Sequence, residues 1–226
     1  MDQSHILLFG SIGVAVDCLE WLLDQREYAV IGVVCSLGPI SPWRQATGDR
    51  NMAEEAPRLG IPIYSLDDAP PADLGLSVRF GEILRRRHLD RYRHGVVNLH
   101  GAPLPEMRGS TCDAMAIIEG RREYGASLHL MDEDMDSGPI LKVARFPISQ
   151  FDRGFDLFRK ANETGLELIK AHLSGILTGA VAPVPQAAGR TYLKSSFRKA
   201  LASPFVPLER KLRATSMPGI RTAKVA

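Results

Sequence analysis

Residues 5–23 read HILLFGSIGVAVDCLEWLL, and this stretch decides the fold class. The run from His5 to Phe9 is compact and apolar, which predicts a buried strand. Gly10 to Gly13 is a turn rich in glycine, and Val14 to Leu23 carries apolar residues at helical spacing. A second apolar run, Tyr28 to Cys35, predicts a strand that is buried on both faces. Strand, turn, helix and strand in this order form the opening of a βαβ unit.

The alternation of strands and helices continues along the chain. Leu37 to Asn51 contains glycines and prolines and is predicted to be a mobile loop, and Met52 to Leu59 is predicted to be a helix. A short segment at Ile61 to Tyr64 follows, with strands at Leu74 to Phe80, Val96 to Leu99, Ser127 to Met131 and Ile140 to Phe146, and helices at Glu82 to Leu89, Thr111 to Glu119 and Asp152 to Leu173. This pattern predicts an α/β fold, a Rossmann-like doubly wound sheet that is mostly parallel, with the last two strands at its edge.

Composition excludes several classes of protein. With 45% hydrophobic and 24% charged residues among 226, the chain has the balance of a globular protein. It begins without a basic leader and contains no run of about 20 apolar residues, so a cytoplasmic protein with no membrane partner is expected. Its three cysteines lack CxxC spacing, which favours reduced thiols over a disulfide frame or a zinc site.

A shift in composition predicts where the main domain ends. Thr178 to Gln186 is rich in Pro, Ala and Gly, which divides the chain into a catalytic domain, residues 1–177, and a short basic C-terminal extension, residues 178–226. From Arg190 to Ala226 there are nine Lys or Arg residues and one acid, Glu209. Two interpretations stay open for this basic tail: a solvated surface helix, or a site for a phosphate-bearing partner.

Polar residues at a strand end are the first candidates for chemistry, because open parallel sheets bind ligands beyond the carboxyl ends of their strands. Asn98 and His100 stand two residues apart at such an end, so a continued strand places both on one face. The acidic loop Met131 to Ile140 closes this site if its flanking strands lie beside the Asn98 strand.

The acidic loop does not match a calcium site, and the first glycine turn does not match a dinucleotide-binding site. Asp132, Asp134 and Asp136 imitate the start of an EF-hand, but Ser137 and Val143 replace the required glycine and final carboxylate, so no metal is expected. The turn Gly10 to Gly13 has two glycines instead of the three of a dinucleotide fingerprint, and the second strand ends without an acid. This turn either presents helix N–H groups to a phosphate or is simply a tight strand-to-helix turn.

The two loops together resemble the folate-dependent formyltransferase family, whose best-known members act on methionyl-tRNA, glycinamide ribonucleotide and nucleotide-linked amino sugars. The resemblance spans roughly Ile6 to Ile148. It is carried by Asn98-Leu99-His100, Leu104-Pro105, Arg108-Gly109, Gly125-Ala126-Ser127-Leu128-His129, and Asp132, Asp136, Gly138 and Ile140 in the pattern DxxxDxGxI. Phe80 to Leu84 also looks like the family's folate-pocket segment. Two departures are Arg85, where many members have proline, and Gly101-Ala102-Pro103, where the common pattern is Pro-Ser-Leu.

The resemblance implies an N-formyltransferase that uses 10-formyltetrahydrofolate as co-substrate, with Asn98, His100 and Asp136 as catalytic residues. Asn98 and a protonated His100 would donate hydrogen bonds to the negative oxygen of the tetrahedral species, and Asp136 would orient the imidazole and help to pass a proton. The implied folate-binding residues are Phe80, Gly81, Glu82, Ile83, Leu84, Met131, Glu133 and Asp136, and the implied acceptor-binding residues are Gly10, Ser11, Arg108, Gly109 and Ser110.

The resemblance also limits which molecules are expected as the formyl acceptor. Members specific for tRNA carry a further C-terminal barrel, for which the residues after Ile148 leave no room, so no nucleic-acid partner is expected. The glycinamide ribonucleotide enzymes use a Gly-Ser-rich loop that ends in Asn, which Gly10 to Ala15 matches poorly. Arg213 to Gly219 is similar to a pattern in nucleotide-sugar formyltransferases. The expected acceptor is therefore a small, phosphate-bearing molecule, an amino sugar linked to a nucleotide diphosphate.

Three alternatives stay open: another small amine as acceptor, hydrolysis of formyltetrahydrofolate, and a non-catalytic module that binds folate or nucleotide. Hydrolysis is disfavoured because the first strand begins near His5, which leaves no N-terminal regulatory domain. Intact Asn98, His100 and Asp136 argue against a non-catalytic module. A homodimer also stays open.

Overall fold

The computed structural model describes residues 3–216, and it opens with the predicted βαβ unit. Strand β1 (Ser4–Phe9) leads through the glycine turn into helix α1 (Gly13–Leu23), and β2 (Tyr28–Val34) returns parallel to β1. The later strands are β3 (Ile63–Tyr64), β4 (Leu74–Val78), β5 (Val96–His100), β6 (Arg108–Gly109), β7 (Glu123–Leu130), β8 (Ile140–Pro147) and β9 (Thr191–Tyr192). The later helices are α2 (Pro42–Thr47), α3 (Met52–Arg58), α4 (Arg86–Leu89), α5 (Cys112–Glu119), α6 (Gly154–Leu177), α7 (Lys194–Ala202) and α8 (Leu208–Thr215).

Seven strands form one sheet in the order β3-β2-β1-β4-β5-β7-β8. The strands from β3 to β5 are parallel, β7 is antiparallel to β5, and β8 is antiparallel to β7. The strand order reverses between β1 and β4, which is the switch point where such sheets bind ligands. The predicted fold class, an α/β Rossmann-like and mostly parallel sheet, is confirmed.

The core lies between this sheet and its helices. Ile6, Leu7, Leu8 and Phe9 of β1 are completely buried, as expected for a central strand covered on both faces. Helix α6 crosses β5 at close range, because a Cβ on Gly165 would collide with the side chain of Leu99. This contact fixes the strand that carries Asn98 and His100.

The prediction of a loop from Leu37 to Asn51 is wrong in its centre, where α2 forms. Pro42 occupies the first turn of α2, where the missing N–H costs nothing, and Gly48 ends the helix with a left-handed φ of 65°. Arg44 is 8% exposed, and its guanidinium pairs with Asp49 at 2.8 Å and donates to the Ser11 and Arg50 carbonyls. Pro42 and Gly48 therefore mark the two ends of a short helix and do not indicate a loop.

The helix predicted from Glu82 to Leu89 is also wrong over its first half. Helix α4 begins only at Arg86, where the backbone N–H of Arg85 donates to Nδ1 of His88 at 3.0 Å. The chain leaves β4 with Arg79 at a left-handed φ of 56°, and Glu82 and Ile83 lie exposed beside a cavity. Residues 82–85 are thus irregular, although their helical spacing predicts a helix.

The chain after α6 folds back onto the loop that follows β5, a contact that the sequence does not predict. Strand β9 pairs in parallel with β6, and Tyr192 is completely buried with its hydroxyl within 3.0 Å of Glu119. Arg213 donates to the carbonyls of Ser149 and Asp152. The division into residues 1–177 and 178–226 stays a prediction.

Two further predictions concern parts of the chain near its ends. The pattern Arg213 to Gly219 falls only partly on the described residues, since Met217, Pro218 and Gly219 lie outside them. Among the helices within residues 3–216, none combines the length and the apolar character that a membrane span requires.

Candidate functional site

Three neighbouring strands present a row of hydrogen-bonded side chains at one end of the sheet. The strand register places Ser77 of β4 beside Asn98 of β5, and Asn98 beside His129 of β7. The Ser77 hydroxyl donates to Oδ1 of Asn98 at 2.8 Å, and Nδ2 of Asn98 lies 3.1 Å from Nε2 of His129. Nδ1–H of His129 donates to the Leu130 carbonyl at 2.8 Å, which turns Nε2 toward the Asn98 amide. The row fixes the orientation of the Asn98 amide.

His100 ends β5 and is only 6% exposed. Its Nε2–H donates to the Met107 carbonyl at 2.7 Å, and because a carbonyl can only accept, this bond assigns the proton to Nε2. Nδ1 is therefore the nitrogen that can exchange a proton with a ligand. It lies 3.4 Å from Oδ2 of Asp136.

Asp136 is held in the acidic loop at a left-handed φ of 52°. Its Oδ2 accepts the backbone N–H of Gly109 at 2.8 Å, and its Oδ1 lies 3.6 Å from Nε2 of His129. Burial alone would raise the pKa of Asp136, but His129, His100 and the Gly109 N–H together lower it to about 2. Asp136 is therefore ionised across the neutral range.

The pKa of His100 moves in the opposite sense to the one expected for an ion pair. Burial lowers its pKa by more than the neighbouring Asp136 carboxylate raises it. At neutral pH the pair consists of a neutral imidazole and a carboxylate, and Nδ1 of His100 carries a lone pair.

The C-terminal chain holds the acidic loop in place. Nε2 of Gln186 donates to the carbonyls of Asp136 at 3.0 Å and Gly138 at 2.6 Å. Arg108 in turn donates from Nε to Oε1 of Gln186 at 2.9 Å, and from its terminal nitrogen to the Ala187 carbonyl. Only glycine fits at position 138, because a Cβ there would collide with the Leu130 carbonyl. The position of Asp136 thus depends on a segment about fifty residues further along the chain.

One cavity, of about 290 Å³, lies beside the acidic loop; we call it the acidic-loop cavity. Ser77, Asn98 and His129 line it. Its wall also contains all eight residues that the resemblance assigns to folate binding, which are Phe80, Gly81, Glu82, Ile83, Leu84, Met131, Glu133 and Asp136. Segments from β4, β5 and β7 thus converge on one cavity at the carboxyl end of the sheet.

A second cavity, of about 380 Å³, is also lined by Asn98; we call it the aromatic cavity. Trp43 of α2 and Phe158 of α6 form one wall, with their ring centroids 5.3 Å apart. His100 and Arg79 line the same cavity. The two cavities share the residues Phe80, Asn98, Gly109, Ser110 and Asp136, so Asn98 and Asp136 stand where they meet.

The structure places the predicted acceptor-binding residues in two groups. Gly109 and Ser110 line both cavities, but Gly10, Ser11 and Arg108 are brought to neither wall. Gly10 is packed where a Cβ would collide with Ala15. Ser11 supports α2, since its carbonyl accepts a hydrogen bond from Arg44 and its hydroxyl one from the Ser36 N–H. Arg108 donates a hydrogen bond to Gln186.

Several residues of the site escape sequence reasoning. Ser77 joins it through strand register, which the sequence does not reveal, and Trp43 sits on a helix predicted to be a loop. His129 lies in the segment Gly125 to His129, to which the family resemblance assigns no role, and Arg79 immediately precedes the folate-pocket segment. Within residues 3–216, no cluster of three or more His, Cys, Asp and Glu side chains is arranged to hold a metal ion.

Comparison with known proteins gives the following similarities. The family model described as "Formyl transferase" matches residues 64–172. A methionyl-tRNA formyltransferase from Halorhodospira halophila is 38% identical over 73% of this chain, which spans about half (55%) of that relative. One from Roseiflexus sp. is 32% identical over 93% of this chain and 70% of its own length.

The fold is also similar to that of solved structures. The sugar 3N-formyl transferase WlaRD, crystallised in the presence of dTDP and 5-N-formyl-THF, superposes with a TM-score of 0.76 at 20% identity. The superposition covers 95% of this chain and 80% of that one. At this identity the similarity speaks for the fold alone.

Proposed function

The chain belongs to the folate-dependent formyltransferase family, and we propose that it transfers a formyl group from 10-formyltetrahydrofolate to the amine of a small acceptor. One observation carries the proposal: two cavities meet at the Asn98 amide and the Asp136 carboxylate, and the His100 imidazole lines one of them with its Nδ1 3.4 Å from Oδ2 of Asp136. A reaction between two bound molecules needs this arrangement, because the reacting atoms must be held together in one orientation.

The acidic-loop cavity would hold the folate. Phe80, Ile83 and Leu84 give it an apolar side, and backbone and acidic groups from Met131 to Asp136 give it a polar one. A flat heteroaromatic ring with amide and amine edges suits such a mixture, since apolar surface supplies contact and a few polar groups fix orientation. The acceptor would occupy the aromatic cavity, with its amine toward Asn98.

Proton movement follows from the hydrogen bonds of His100. The acceptor amine attacks the formyl carbon, which forms a C–N bond and places negative charge on the formyl oxygen. Nδ1 of neutral His100 takes a proton from the amine, and the ionised Asp136 stabilises the resulting imidazolium. The same proton then passes to N10 of the folate as the bond between N10 and the formyl carbon breaks.

Asn98 would supply the hydrogen bond for the oxyanion. Ser77 engages its Oδ1 and His129 faces one N–H of its NH2 group, so the second N–H is the one that would donate to the formyl oxygen. A donor that is already oriented stabilises developing charge without reorganising, and removal of one such donor usually costs about 2.7–4 kcal/mol of barrier. An imidazolium at His100 would add a second donor late in the reaction.

For the acceptor we propose an amino sugar linked to a nucleotide diphosphate. The rings of Trp43 and Phe158, which meet edge to face, offer apolar surface for a ring of the acceptor. WlaRD, a protein of the same fold, is named as a sugar 3N-formyl transferase and was crystallised with dTDP. A second candidate acceptor is the amine of methionyl-tRNA. It is supported by the relatives at 38% and 32% identity, which are named as methionyl-tRNA formyltransferases.

The test is a transfer assay with 10-formyltetrahydrofolate labelled with ¹³C in the formyl group. Candidate amines are a dTDP-linked amino sugar, methionyl-tRNA and free L-methionine, and labelled product, tetrahydrofolate and formate are quantified together. We expect labelled amide to form in equal amount to tetrahydrofolate with the wild type and the His5→Asn control, and not with His100→Asn. Release of formate without any amide would instead indicate a hydrolase, and folate binding without turnover would indicate a binding module.

A further inference from the structure

Arg79 occupies an unusual position between β4 and the folate-pocket segment. It is one of three residues other than glycine within residues 3–216 that adopt a positive φ, here 56°. A residue with a long side chain reaches this region at a cost of about 1 kcal/mol or more, which surrounding structure must offset. The turn brings Arg79 into the wall of the aromatic cavity, where it is half-buried.

The Arg79 guanidinium lies in a slot that two other residues create. Its Cζ stands 4.8 Å from the centroid of the Phe158 ring, within range of a cation–π contact. On the other side it lies against Gly101, where an added Cβ would collide with its terminal nitrogen. A side chain at position 101 would therefore displace the guanidinium.

The charge of Arg79 acts on Asp113 only through space: burial raises the pKa of that carboxyl, and Arg79 offsets part of the rise. Of the ion pairs within residues 3–216, none includes Arg79. Asp113 and Asp136 line the same cavity, but both lie beyond ion-pair distance of the guanidinium, and their oxygens accept the N–H groups of Ala114 and Gly109. A cation held beside an aromatic ring and partly removed from water gains strongly from an anionic ligand.

We infer that Arg79 binds an anionic oxygen group of the acceptor and selects acceptors that carry one. The inference rests on the proposed function, because it assigns the aromatic cavity to the acceptor. Gly101 directly follows His100, so the bound anion would lie in the same small cavity as the reacting amine. The planar guanidinium fork suits either a phosphate or a carboxylate, and Arg79 acts as a specificity-determining residue that takes no part in proton transfer.

The test measures anion binding by the fluorescence of Trp43, which lines the aromatic cavity, in a Trp21→Phe background that removes the other tryptophan. The probes are dTDP for phosphate, L-methionine for carboxylate and glucosamine for an amine without an anionic group. We expect saturable binding of at least one anion and much weaker binding of glucosamine. Arg79→Ala should weaken anion binding about 10- to 100-fold, the usual effect of losing a charged hydrogen-bond partner.

Two further variants separate the inference from general damage. Arg58→Ala removes the same charge from an exposed site on α3 and should bind as the wild type does. Gly101→Ala keeps Arg79 but displaces it, and should lose affinity without adding to the loss in Arg79→Ala. Binding of dTDP alone would identify phosphate as the source of the anion, and binding of L-methionine alone would identify carboxylate. No saturable binding of either anion, or unchanged affinity in Arg79→Ala, would overturn the inference.

The same samples distinguish this inference from the proposed function. Binding of 5-formyltetrahydrofolate to each variant is followed by calorimetry, and it should be equal in the wild type, Arg79→Ala and Arg58→Ala. If folate binds and Arg79→Ala leaves anion affinity unchanged, only the inference about Arg79 fails. If the wild type does not bind folate, the proposed function fails whatever the anions do.

Discussion

Replacing Asp136 with Asn keeps the shape of the side chain and removes a negative charge from the centre of the site. The carboxylate accepts the Gly109 N–H and lies 3.4 Å from His100 and 3.6 Å from His129. Asn keeps the size of the side chain, so the loop position, which depends on Gln186 and backbone carbonyls, should persist. The variant therefore isolates the charge.

The size of the effect on stability follows from the pKa. A fall from 3.8 in an unperturbed Asp to about 2 in Asp136 is roughly 2 units, and at 1.36 kcal/mol per unit it corresponds to about 2–3 kcal/mol in favour of the folded state. The side chain is 15% exposed, so solvent screening reduces this figure only slightly. Because the folded pKa is lowered, the stabilisation is fully present above about pH 4–5 and is lost as the pH falls through about 2.

Urea unfolding at pH 7 measures this loss, and a formyl-transfer assay measures turnover on the same preparation. We expect Asp136→Asn to lose about 2–3 kcal/mol of unfolding free energy and to fall in turnover by about a hundredfold or more, because no carboxylate stabilises the imidazolium. The matched control is Asp134→Asn in the same loop, which is exposed and should change stability by less than about 0.5 kcal/mol. Near-normal turnover, or equal stability losses in the two variants, would refute the reasoning.

Two further predictions concern stability. Arg44→Ala should lose about 3–5 kcal/mol of unfolding free energy in urea, because it leaves Asp49 and two carbonyls without their partner; a loss below about 1 kcal/mol would show that the pair is not structural. Because burial lowers the pKa of His100 below 6.5, the unfolded chain takes up its proton first, and the wild type should lose unfolding free energy as the pH falls from 8 to 5. His100→Asn should show a shallower fall over the same range, and equal slopes in the two proteins would contradict the assignment of a neutral imidazole.

Local sequence patterns predict the central sheet well, because a strand that is buried on both faces consists of a short run of apolar residues. Ile6 to Phe9 is apolar at every position and becomes a strand without solvent contact. The segments Leu37 to Asn51 and Glu82 to Leu89 are misjudged for opposite reasons. In the first, Pro42 and Gly48 mark the ends of a helix that a buried Arg44 anchors, and in the second, helical spacing is overruled by the turn at Arg79.

Some residues of the site can likewise be predicted from the sequence, and others cannot. Asn98 and His100 come from one strand end, and their spacing shows that they share a face. Their link to Asp136 comes from the family resemblance, and the structure supplies the distance. Ser77 and Gln186 depend on strand register and on the return of the C-terminal chain, contacts between residues 21 and 50 positions apart that no local pattern encodes.

The central claim is that the formyl carbon reacts where the two cavities meet, with the Asn98 amide on its oxygen. The most direct measurement is the single-turnover rate of formyl transfer in Asn98→Ala, with the dissociation constant for 5-formyltetrahydrofolate determined alongside. The claim predicts a rate about 100- to 1,000-fold below that of the wild type, with folate affinity changed by less than about threefold. A rate within about fivefold of the wild type, or a loss confined to folate binding, would contradict it.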